Sequence, residues 1–177
     1  MQIYTIYKIL CYNKSMSNEM KPKITETYVV EQIKSFLINK SNGNWHEDKV
    51  KESQLHGHGV DIKLTGGKRN SEYFLIECKG KSYAKSAKSI NKEGWLNALG
   101  QIVTRMSTSR TIKSGAQKGE PNRAYKYGLG LCKEGAEVAL RRIPKEIAKT
   151  LNLYLFSVDD NGKVEMFTPS HFTKEKI

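Results

Sequence analysis

Glu72-Tyr73-Phe74-Leu75-Ile76-Glu77-Cys78-Lys79-Gly80 is the stretch on which the fold turns. Its apolar run, closed by a glycine, predicts a strand in the interior of a sheet. Side chains alternate across a sheet, so Glu77 and Lys79 share one face while Ile76 and Cys78 share the other. Charges at the end of such a strand need a reason, because an unpaired charge buried there costs several kcal/mol.

The stretch just upstream supplies one. Val60-Asp61-Ile62-Lys63-Leu64 alternates apolar and polar with period two, and Gly66-Gly67 ends it as a turn. Paired as a hairpin through residues 66–70, the two strands bring Asp61 and Glu77 together at one end of the sheet, with Lys79 beside them. Two carboxylates offer the hard oxygen ligands that suit Mg²⁺, which keeps some waters and takes substrate phosphate as a further ligand. A lysine beside such an ion can orient or help deprotonate an attacking water and offset charge in the transition state. The acid-x-Lys triplet is cheap in itself, recurring at Glu19–Lys21, Glu47–Lys49 and Asp61–Lys63. Its competing reading is a solvated strand edge carrying a Glu–Lys cross-pair.

Outward from these strands the pattern continues. Val29, Val30, Ile33, Phe36 and Leu37 recur at helical spacing, predicting a helix over 24–40 opened by Thr25 or Lys23. A short edge strand is placed near Trp45. Trp95, Ala98, Leu99, Ile102 and Met106 predict a second helix over 91–106. Tyr125 to Cys132 reads as a strand, followed by helical patterns over 136–142 and 145–151, with Pro144 placed to start the latter. Strands over 153–158 and 163–167 close a hairpin through Asp159-Asp160-Asn161-Gly162. Helix, strands, helix, strand, helices, strands is the order of an α/β fold with a mixed sheet.

With Gly59-Val60-Asp61 and Phe74-Leu75-Ile76-Glu77-Cys78-Lys79-Gly80 on this framework, residues 24–167 resemble the PD-(D/E)XK nuclease superfamily. The resemblance implies a restriction-endonuclease-like αβββαβ core, a mixed central sheet flanked by helices. It implies that Asp61, Glu77 and the Cys78 carbonyl bind Mg²⁺, with Mn²⁺ able to substitute, and that Lys79 is the catalytic lysine. Val60 departs from the proline usual before the aspartate. Members often carry a glutamate on the first helix, and helical phase prefers Glu26, about 20° from Ile33, over Glu31, about 160° away. A Glu favoured in a first turn by the helix dipole is the plainer account of Glu26. Several branches carry a glutamine on the helix after the catalytic strand. Gln101 occupies that place here, and an ordinary surface glutamine is its plainer account. The implied activity is hydrolysis of DNA to leave a 5′-phosphate by a homodimer. Restriction-like cleavage, junction or repair cleavage, and a non-catalytic basic nucleic-acid-binding protein all stay open.

Charge agrees with a polyanionic partner. The 177-residue chain carries 30 Lys plus Arg against 18 Asp plus Glu, a net +12, which attracts nucleic acid through counterion release. Lys81 and Lys85 extend the positive charge beyond Lys79. Arg105, Arg110, Lys113, Lys118, Arg123 and Lys126 make 105–126 a basic arm for phosphate contact, unless it is simply a solvated loop. Cys11, Cys78 and Cys132 are scattered and odd in number, indicating neither a disulfide framework nor structural zinc. His56-Gly57-His58-Gly59-Val60-Asp61 lacks the last histidine of a zinc-hydrolase motif and fits a glycine-permitted turn better. The first ten residues are interrupted by Lys8 and lack both signal-peptide form and membrane-spanning length. The sequence thus predicts a cytoplasmic protein with no membrane partner. A peripheral extension over 1–20, with Met16 and Met20 as alternative starts, precedes a nuclease-like domain over 21–177.

Overall fold

The computed structural model describes residues 24–40, 44–47, 60–67, 72–81, 87–106 and 125–173, with only the backbone for 87–92. The first helix, α1 (Glu26–Ser35), is opened by Thr25, whose hydroxyl accepts the Tyr28 amide at 3.1 Å. A cap of this kind contributes about 1 kcal/mol. The helix ends in a wider turn over Phe36–Lys40. The strands are β1 (His46–Glu47), β2 (Ile62–Gly66), β3 (Glu72–Lys79), β4 (Tyr125–Cys132), β5 (Leu153–Val158) and β6 (Val164–Phe167). The remaining helices are α2 (Ala87–Thr104), α3 (Lys133–Arg142) and α4 (Lys145–Thr150).

The strands form one mixed sheet in the order β1-β2-β3-β4-β5-β6. The central ladders β3–β4 and β4–β5 are parallel, while β1–β2, β2–β3 and β5–β6 are antiparallel. The α/β class with helices on both faces is therefore as read from the pattern. The β2–β3 turn uses Gly67 at φ 74°, a conformation that costs glycine little.

Two cores lie on the two faces. On one, Val29, Ile33 and Leu37 of α1 meet Ile62, Leu64, Phe74, Ile76, Cys78, Phe156 and Val158. On the other, Ala98 and Ile102 of α2 and Ala136 and Ala139 of α3 meet Leu129, Leu131, Leu153 and Leu155. The bare face of β4 lets α1 lie close: a Cβ at Gly130 would stand 2.7 Å from Cys78 Sγ and 3.4 Å from Val29 Cγ1.

Several boundaries differ from the sequence reading. The edge strand β1 falls beside Trp45 as expected, with both of its residues exposed. The second helix starts four residues early, at Ala87, because Ala87 to Ile90 can continue a helix without adding to its apolar stripe. The third starts at Lys133, directly off β4. The proposed extension over 1–20, the histidines 56 and 58, and the body of the basic arm lie outside the described residues.

Candidate active site

The β2–β3 register pairs Ile62 with Ile76, so one step further sets Asp61 opposite Glu77. Strand β2 begins at Ile62, and the Asp61 side chain continues the ladder: its Oδ2 accepts the Cys78 amide at 2.7 Å. That hydrogen bond fixes the Asp61 carboxylate at the end of the sheet. Glu77 faces the α2 side and is only 1% exposed, one of two buried polar residues among those described. Its Oε1 meets Arg105 Nη1 in an ion pair. Neither of those two atoms has a hydrogen-bond partner. Arg105 sits just past the end of α2, where its amide donates to the Ile102 carbonyl at 3.1 Å.

Lys79 is placed by α1. The Lys81 amide donates to the Ile24 carbonyl at 2.6 Å, tying the exit of β3 to the entry of α1. Gly80 permits the approach, since a Cβ there would stand 2.6 Å from the Thr25 carbonyl carbon and 2.9 Å from Ile24 O. Glu26, in the first turn, then reaches Lys79, with Oε2 and Nζ 3.1 Å apart. The helical phase is as the sequence implied, but Glu26 is not centred among buried groups. Its side chain is 50% exposed because the helix starts there and overhangs the sheet end. Glu31 is exposed.

Cys78 marks how concentrated the charge is. Its thiol lies on the opposite face, in the α1 core. Burial pushes it well above the ordinary thiol value, Asp61 and Glu26 adding to the push and Lys79 and Lys34 opposing it.

These residues fit a hard divalent cation. Among the described residues no group of three His, Cys, Asp or Glu side chains converges as a metal site. Mg²⁺ is ordinarily held by one or two carboxylates plus waters, which Asp61 and Glu77 satisfy. Glu77 Oε1 is moreover a buried carboxylate oxygen with no hydrogen-bond partner, met by Arg105 in an ion pair.

Three expected members do not join the group. Gln101 is exposed on α2, and among the described contacts its carbonyl takes the Thr104 hydroxyl at 2.8 Å. Lys81 lies 2.7 Å from Glu134 Oε1 and 3.6 Å from Asp160 Oδ1. The Glu134 hydrogen bond raises the Lys81 ammonium above its ordinary value. Partial burial alone would raise Glu134, yet Lys81 leaves it below the ordinary carboxylate range. Arg105 is likewise paired with Glu77. Lys85, Arg110, Lys113, Lys118 and Arg123 lie outside the described residues. Arg105 is the member that sequence reasoning missed. The signal was the buried acid on β3, which demands a cation, but the pattern names none of the 30 available.

Compared with known proteins, the chain matches no family model, no curated protein and no solved structure.

Proposed function

We propose that the chain is a metal-dependent endodeoxyribonuclease of the PD-(D/E)XK type, with a restriction-endonuclease-like fold. The observation that supports this reading best is the gathering of Asp61, Glu77, Lys79 and Glu26 at one end of the sheet. Asp61 and Glu77, with the Cys78 carbonyl, hold Mg²⁺ or Mn²⁺. The bound cation supplies Lewis-acid stabilisation of charge on the phosphate. Asp61 is oriented by the Cys78 amide, so its carboxylate enters the reaction already aligned. Lys79 directs its ammonium toward the attacked phosphate, and Glu26 restrains that ammonium. The basic surface beyond the site holds DNA by its backbone.

A cleavage assay on linear, supercoiled and branched DNA tests the reading and separates restriction-like from junction or repair cleavage. Activity is expected to need Mg²⁺ or Mn²⁺ and to vanish with chelator. Asp61→Asn and Glu77→Gln should each abolish cleavage while DNA binding persists or tightens, because each removes negative charge near phosphate. Full activity in either variant would overturn the assignment. The Glu77–Arg105 pair favours one second reading, a nucleic-acid-binding protein without turnover, whose Glu77 is neutralised by the guanidinium alone. That reading expects DNA binding but no cleavage with any divalent ion.

A further inference from the structure

Glu77 is the acid that most needs a cation, and the structure gives it one from an unexpected place. A carboxylate 1% exposed cannot remain charged without a counter-ion. Arg105 supplies it from beyond the last turn of α2. Buried ion pairs repay their desolvation only when further hydrogen bonds satisfy the remaining polar atoms. Neither Glu77 Oε1 nor Arg105 Nη1 has a hydrogen-bond partner. In the pair the guanidinium takes up a carboxylate oxygen that a cation would need. Arg105 is itself still partly solvated, with 21% of its side chain exposed, so a route out to water is open to it.

We propose that Arg105 is the resident counter-ion of Glu77 in the metal-free protein and a competitor of the divalent cation. Metal entry at Glu77 displaces the guanidinium toward solvent. The inference rests on the reading of Glu77 as a metal ligand. Displacement also changes what Arg105 can touch, since a guanidinium released at the rim of the site is placed to meet a phosphate oxygen. Arg105 is then a positioning residue whose partner depends on whether the site is loaded.

Mn²⁺ binding to the full chain without DNA, followed by electron paramagnetic resonance, provides the test. Glu77→Gln should weaken Mn²⁺ binding at least about tenfold, and Arg105→Gln should tighten it by about tenfold, the size of a typical coupling between competing partners. Unchanged binding in Glu77→Gln would overturn the ligand assignment and the inference with it. Weakening in Glu77→Gln together with equal or weaker binding in Arg105→Gln would overturn the inference alone. Should Arg105→Gln fail to fold, the wild-type chain decides. Mn²⁺ is then expected to speed modification of Arg105 by phenylglyoxal, read by peptide mass spectrometry, and an unchanged rate would overturn the competition.

Discussion

Glu26 and Glu31 lie on the same helix and differ in what they reach. Glu26 meets Lys79 at 3.1 Å, while Glu31 is exposed. Exposed ion pairs contribute only about 0.2–1 kcal/mol, and Glu26 is half-exposed, so its contact with Lys79 does little for stability. Its effect belongs to the direction in which Lys79 points. Glu26→Gln is expected to lower the cleavage rate by about 10- to 100-fold, the cost usual for losing a group that orients a site residue, with the melting temperature nearly unchanged. Glu31→Gln should change neither. Single-turnover rates and melting curves of both variants check this, and sensitivity at Glu31 in place of Glu26 would put the wrong helix face over the site.

Among elements, the junction of β3 with α1 controls the geometry. The atoms around Gly80 belong to the backbone of Ile24, Thr25 and Glu26, and backbone cannot swing aside as a flexible side chain does. Gly80→Ala is therefore expected to cost about 1–3 kcal/mol and to lower activity by parting Glu26 from Lys79. Gly100→Ala, on α2 with nothing within 4 Å of the new methyl, should instead gain about 0.5–1 kcal/mol from helix propensity. Urea midpoints of the two variants, with unchanged slopes, separate the effects. The same contrast explains what the sequence made legible. Strands β3, β4 and β5 were readable because central strands are bounded apolar runs, and β3 and β4 fall on the residues expected. The pairing of Asp61 with Glu77 followed from alternation and a turn, both local properties. Arg105 was not readable, because the acid and its cation meet only after α2 packs against β3 and β4. Nor was the role of Gly80: a glycine ending a strand looks the same whether or not another backbone lies against it.

For the molecule as a whole, net charge and charge placed for DNA are different quantities. Of the 30 basic residues, Lys81, Arg105 and Lys126 pair with Glu134, Glu77 and Glu72. On the proposed reading, Arg110 and Lys113 are the first phosphate contacts to test. Neutralising both should make the slope of log K against log salt shallower by about 0.9 for each phosphate left without its cation, equally for all DNA sequences. Lys81→Gln should leave that slope unchanged. Binding isotherms at several salt concentrations measure both, and an unchanged slope in the Arg110/Lys113 double variant would return that segment to the class of solvated loops. The β2–β3 hairpin also bears on the order of assembly. It joins neighbouring stretches of chain, whereas the β3–β4 ladder joins Lys79 to Leu131, and the longer closure must overcome more chain entropy. Asp61 and Glu77 therefore come side by side in a hairpin still open to water, where like charges repel only weakly. Glu77 loses that water when α2 settles on the sheet, and the same event delivers Arg105. A helix that docked without its final turn would strand a bare carboxylate in the core, so the pair makes correct seating of α2 a condition of completing the fold.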